Sequence, residues 1–115
     1  MNLSGEQNAF LLDVAKLIEF IHNRDGGVLV TGGELFRTQE QEELYVKSGK
    51  SKTLYSNHLR RLAVDLNFIF NGILVNDTEA LRPYGEFWES LSPENRWGGN
   101  FTTISDADHF ERNVA

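Results

Sequence analysis

Residues 62–75, Leu62-Ala63-Val64-Asp65-Leu66-Asn67-Phe68-Ile69-Phe70-Asn71-Gly72-Ile73-Leu74-Val75, decide the fold. From Leu62 to Phe70, Leu62, Val64, Leu66, Phe68 and Phe70 share one parity, while Ala63, Asp65, Asn67 and Ile69 share the other. A strand turns successive side chains to opposite faces, so the first set is a core face. The second set carries a carboxylate and an amide away from it. Asn71-Gly72 is the dipeptide that tight hairpins favour, and Ile73–Val75 is the returning strand.

Outward from this hairpin the chain alternates between helical and extended patterns. Ser4 followed by Gln7 reads as a capping box. Phe10, Leu11, Val14, Leu17, Ile18 and Ile21 then form a helical stripe that stops at Asp25-Gly26-Gly27. Val28–Val30 is a short strand. The polar stretch from Thr38 to Lys47 reads as a covering helix with Leu44 and Tyr45 as its apolar contacts. Ser48–Thr53 (SGKSKT) reads as an exposed loop. Downstream of the hairpin, Asp77 can cap a helix carrying Leu81, Tyr84, Phe87, Trp88 and Leu91, and Pro83 sets its regular start near Arg82. Pro93–Gly99 reads as a loop, and Phe101–Phe110 as one or two short strands. The order predicts a single α+β domain over residues 1–115, a small antiparallel sheet flanked by helices.

Composition excludes several classes of function. The 115 residues suit one domain with a real core, and 40% hydrophobic with 24% charged residues is ordinary globular composition. A net charge of −6 without a basic stripe excludes a nucleic-acid partner. The absence of cysteine excludes disulfides, thiolate metal sites and thiol nucleophiles. The N-terminus, MNLSGEQNAF, shows no signal peptide, and no apolar run approaches the roughly 20 residues of a membrane span.

A metal such as zinc, without cysteine, needs imidazole and carboxylate ligands. The histidines are His22, His58 and His109. His22 reads as a surface side chain at the end of the first helix. His58 and Asp65 are seven positions apart, so an uninterrupted strand would point them to opposite faces. The chain between them must bend if both are to meet one ion. Asp106 and His109, in Asp106-Ala107-Asp108-His109-Phe110, could place an acid beside a ligand on a bent segment. Turn or cap roles for Asp106 and Asp108 suit the same residues. Glu111 shares the face of His109 if this segment is a strand. Trp88 reads as core, whereas Trp97, before Gly98-Gly99, suits either core or a cleft wall that meets substrate.

Ser56-Asn57-His58 with Leu62-Ala63-Val64-Asp65 resembles the S-x-H-x-x-G-x-A-x-D signature of zinc peptidases acting on peptidoglycan stem peptides. These are the D-alanyl-D-alanine carboxypeptidases and dipeptidases, and the L-alanyl-D-glutamate endopeptidases of phage endolysins. Asp106-x-x-His109 is similar to their acid-x-x-His element. The likeness runs from about Thr31 to Glu111, through T-G-G-E-L-F-R-T and G-E-F-W-E-S-L-S-P-E-N-R-W-G-G-N-F, strings like those of short phage-encoded members. It implies a hedgehog/DD-peptidase-like fold, with His58, Asp65 and His109 holding Zn2+ and Asp106 as general base. It also implies that Arg37 binds substrate or steadies the oxyanion, with Ser56 and Trp97 beside the substrate. Arg61 departs from the pattern, standing where the signature has glycine.

The expected partner is the stem peptide of peptidoglycan, met by a monomer made in the bacterial host cytoplasm and acting on the wall once released. The alternative is a non-catalytic phage structural or wall-binding module on the same scaffold, which the Arg61 departure and the missing export signal favour. A purely structural domain with a stabilising metal is a third reading.

Overall fold

Asn71 and Gly72 both take left-handed backbone conformations (φ 50° and 79°), so the chain reverses between strands in two residues. The computed structural model describes residues 2–51 and 56–115. The hairpin joins β2 (Ala63–Phe70) to β3 (Ile73–Val75), with Phe68 opposite Val75 and Phe70 opposite Ile73. Before it come α1 (Leu3–Arg24), β1 (Leu29–Gly32), α2 (Gln39–Ser48) and a 3-10 turn at Asn57–Arg60. After it come α3 (Thr78–Ser90), β4 (Asn95–Trp97), a second 3-10 turn at Gly98–Asn100 and β5 (His109–Arg112). The sheet is antiparallel throughout, in the order β1-β2-β5-β4, with β3 also on β2. The α+β architecture expected from the sequence is therefore observed.

The parity of β2 holds. Leu62, Val64, Leu66 and Phe68 are buried, against Phe10, Leu17 and Ile21 of α1 and Leu81, Tyr84 and Trp88 of α3. Aromatic edges lock this layer: Phe10 meets Trp88 at 5.7 Å, Trp88 meets Phe110 at 5.9 Å, and Phe20 stacks on Phe87 at 4.0 Å. Two polar residues of α1 are also buried on its inner face. Glu6 accepts from Arg112 at 3.0 Å and Asp13 from Asn95 Nδ2 at 3.0 Å, which satisfies them. Leu11, expected in the stripe, is exposed instead.

Several local readings need correction. Asn2, not Ser4, caps α1, its side chain accepting from Gly5 N at 2.8 Å. β1 begins at Leu29 rather than Val28, and Val28 is buried before the sheet starts. α2 has the expected position, with Thr38 as its cap, but Leu44 is 57% exposed. Its buried side chain is Glu42, held by Arg37. Within Ser48–Thr53, Ser48 ends α2, Gly49 is its left-handed cap, and residues 52 and 53 lie outside the described residues.

Asp77 does cap α3, which starts at Thr78, so Pro83 lies inside the helix. Proline there leaves without a donor the carbonyl of Glu79, an exposed first-turn residue. The Pro93–Gly99 loop contains β4 and the start of a 3-10 turn. Between residues 101 and 110 strand begins only at His109, and 101–108 are irregular.

Candidate metal centre and its cleft

Three separate elements deliver His58, Asp65 and His109 to one place. Asp65 stands on the face of β2 opposite the core, and the β2–β5 register sets it directly across from His109. Asp65 continues the sheet on its other side, accepting from Gly33 N at 2.8 Å and donating its own N–H to Glu34 O at 2.9 Å. A Cβ on Gly33 would lie 2.9 Å from the Asp65 carbonyl oxygen, so glycine permits this approach.

His58 arrives from the 3-10 turn, and the required bend is there. Arg61 ends that turn in the left-handed region (φ 55°, ψ 39°), its N–H and that of Leu62 closing back on the turn's carbonyls. The position where the resemblance has glycine thus adopts the conformation for which glycine is suited. Arginine holds it with its guanidinium over the Phe36 ring at 4.2 Å.

One ligand atom from each of His58, Asp65 and His109 lies within 4.8 Å of the other two. His58 Nε2 is 3.4 Å and His109 Nδ1 3.2 Å from Asp65 Oδ1. The far nitrogen of each ring is engaged: His58 Nδ1 with the Leu35 carbonyl at 3.0 Å, His109 Nε2 with Glu111 Oε1 at 2.7 Å. A carbonyl and a carboxylate only accept, so each far nitrogen carries a proton, and the inward nitrogens, which face Asp65, are the ones free to give up theirs to a metal. Two oriented imidazoles and one carboxylate form a donor set that fits a divalent metal with an open position.

Electrostatics follow from the crowding. Burial opposes the charge of Asp65, but the His109 and His58 hydrogen bonds outweigh it and hold its carboxyl well below the usual range. Burial likewise opposes the His109 imidazolium, yet Asp65 and Glu111 raise it to about 9. Asp108 is pushed up to about 7 by burial and by its hydrogen bond and charge contact with Asp106, with Asp65 adding to the repulsion.

Asp106 precedes His109 in a tight turn, its carbonyl accepting from His109 N at 3.1 Å. Carboxylate oxygens of Asp65, Asp106 and Asp108 also lie within 4.8 Å of one another, which puts Asp106 beside the centre. Gly98 clamps this turn by accepting from Asp106 N at 2.9 Å. All these groups open onto a cleft of about 790 Å³, which Tyr45, Lys50, Arg96 and Phe101 also line.

Arg37 lines the cleft too, with most of its donors already engaged. It donates to Glu34, to Glu42 at 2.6 Å and to Ser56 Oγ at 3.3 Å, and it lies over the Tyr45 ring at 4.7 Å. The two residues expected beside substrate, Arg37 and Ser56, therefore touch each other. Trp97 is fully buried, its indole N–H donating to the Ala107 carbonyl at 2.8 Å. It also stands among the residues that line the cleft, so its two readings, core and cleft wall, meet in one buried ring. His22 is exposed on α1 and bonds to its own helix at Ile18 O.

Sequence reasoning left Glu34, Glu42, Asn57 and Arg96 unassigned. Asn57 joins the site by its amide, which donates to Glu111 Oε2 at 3.0 Å. Only Glu111 left a signal, its two-residue offset from His109.

The family described as D-alanyl-D-alanine carboxypeptidase matches residues 49–112, more than half of the chain. No curated protein matches. Among solved structures, the crystal structure of the L-Ala D-Glu endopeptidase ChiX of Serratia marcescens is similar, with 26% identity and a TM-score of 0.63. That likeness covers 75% of this chain and 68% of the other. The family match spans His58, Asp65 and His109, and the chain belongs to the D-alanyl-D-alanine carboxypeptidase family of metallopeptidases.

Proposed function

We propose that this chain, as one catalytic domain, hydrolyses a peptide bond in peptidoglycan stem peptides with zinc held by His58, Asp65 and His109. The bond is L-Ala-D-Glu or D-Ala-D-Ala, and the setting is phage lysis, with the protein made in the host cytoplasm and acting on the wall after release. The observation that carries the reading is the convergence of two oriented imidazoles and one carboxylate beside a further acid in an open cleft. Family membership and likeness to an endopeptidase structure support the substrate class. Zinc, when bound, polarises the scissile carbonyl and makes the attacking water acidic.

The chain's own residues supply the rest. Asp106 takes the proton of the attacking water and passes it to the leaving amine. Arg37, fixed by Glu34 and Glu42, presents its remaining donor capacity and that of Ser56 to the oxyanion or a substrate carboxylate.

The test is digestion of purified peptidoglycan, with new amino groups counted and the muropeptides read by mass spectrometry. Wild type releases amino groups in a zinc-dependent manner, and Asp106→Ala keeps its zinc but loses at least a hundredfold in rate. Wall binding without release would make the chain a binding module. Full activity in Asp106→Ala would move the base to another acid.

A further inference from the structure

We propose that Glu111 is the positioning residue for the His109 ligand, holding the ring by Nε2 and so setting its orientation toward Asp65. The inference rests on the reading of His58, Asp65 and His109 as a metal centre. It adds a named side chain responsible for the orientation of that ring.

The argument begins with strand geometry. His109 and Glu111 are two residues apart on β5, so they share a face, and their side chains meet at 2.7 Å between Nε2 and Oε1. Both are buried, so no bulk water competes for that nitrogen. The carboxylate has no proton to give, so Nε2 keeps its hydrogen, and Nδ1, which faces Asp65, is the nitrogen that can lose its own when a metal binds.

A carboxylate this near a metal centre could itself swing in as a ligand. Glu111 is held from doing so. Its second oxygen accepts from Arg96 Nε at 2.8 Å, from Arg96 Nη2, and from Asn57 Nδ2 at 3.0 Å. With Oε1 on the imidazole and Oε2 on three donors, the side chain acts through His109. Asn57 is the neighbour of His58, and Glu111 thereby ties together the two segments that carry imidazoles. The rings are held asymmetrically. His58 is oriented by a backbone carbonyl, that of Leu35, whereas His109 depends on one replaceable side chain.

This dependence makes Glu111→Gln informative. The amide can turn its oxygen to His109 only by turning its NH2 toward Arg96 and Asn57, which are donors. Turned the other way, it offers a donor to Nε2 and favours the wrong tautomer. Arg96 is half-exposed, so Arg96→Met removes the main opposing donor with little cost to the core.

The experiment is long-range 15N imidazole NMR of the zinc-loaded full chain, with zinc affinity measured by chelator competition. In wild type, His109 binds zinc through Nδ1 and keeps its proton on Nε2. Glu111→Gln weakens zinc binding by about 10- to 100-fold, and adding Arg96→Met to it recovers part of that loss. Zinc on Nε2 of His109 in wild type, unchanged affinity in Glu111→Gln, or no recovery in the double variant would overturn the positioning role and leave the metal centre standing. No zinc-dependent change at either His58 or His109 would overturn the metal centre itself, and Glu111's role with it.

Discussion

Arg61 allows the bend at the centre to be weighed by substitution. A non-glycine residue in the left-handed region costs about 1–2 kcal/mol, and Arg61 has φ 55° and ψ 39°. Its guanidinium over Phe36 returns about 0.5–1 kcal/mol for an exposed cation–π contact. Arg61→Ala loses the ring contact and keeps most of the backbone cost, and is expected to destabilise by about 0.5–1 kcal/mol. Arg61→Gly loses the same contact and relieves the backbone, against about 0.4–1 kcal/mol of extra unfolded-state entropy. It should come within about 0.5 kcal/mol of wild type and exceed Ala by about 1 kcal/mol. Urea denaturation of the apo protein measures this order, which corresponds to about 4 °C in Tm between the two variants. Zinc affinity should follow the same order, because the bend carries His58 toward Asp65. An alanine variant as stable as the glycine variant would show that residue 61 is not held left-handed, and the account of the bend would fail.

Three further outcomes follow from the site. The folded apo protein raises His109 to about 9, so its stabilisation is full below the unfolded value near 6.5 and is lost as pH rises through 9. Its size is on the order of 3 kcal/mol; thermal melts from pH 6 to 10 should show the loss without zinc and not with it, since the bound imidazole is already neutral. Calorimetry in buffers of different ionisation enthalpy should accordingly detect proton release on zinc binding at pH 7.5, and none would contradict the charged apo imidazole. Gly98→Ala would put a Cβ 2.1 Å from the Asp106 carbonyl oxygen and 2.8 Å from His109 Cβ. It is expected to displace the Asp106 turn, costing about 1–3 kcal/mol and a larger share of activity than of zinc binding. Unchanged kinetics in that variant would mean that the turn does not position the base.

Much of this was legible because strand parity is strict. The alternation from Leu62 to Phe70 separated the core face from the face of Asp65, and Asn71-Gly72 fixed the return. The odd spacing of His58 and Asp65 demanded a bend, found as the 3-10 turn and Arg61. Elements without a period were missed. β4 is three residues long, and only its pairing with β5 makes Asn95–Trp97 a strand. Glu42 looked like one more solvated acid in a polar helix; its burial goes with Arg37, which the Thr38 cap brings back against the helix's first turn. The T-G-G-E-L-F-R-T string holds both Arg37 and Glu34, but no periodic pattern there shows that the two side chains meet. Asp106 was placed by resemblance, and the Gly98 contact that holds it comes from the fold.

The buried indole of Trp97 has a consequence for how this chain can vary. A Cβ on Gly85 of α3 would lie 2.0 Å from that ring, and a Cβ on Gly99 2.2 Å. Two positions have given up their side chains to one large residue, whose N–H holds the carbonyl of Ala107 between Asp106 and Asp108. The helix thus sets the height of the acidic turn through a rigid spacer. Residues 85, 97 and 99 should therefore be inherited as a set: a smaller spacer would admit larger neighbours, and any one exchanged alone would leave either a clash or a hole behind the acids.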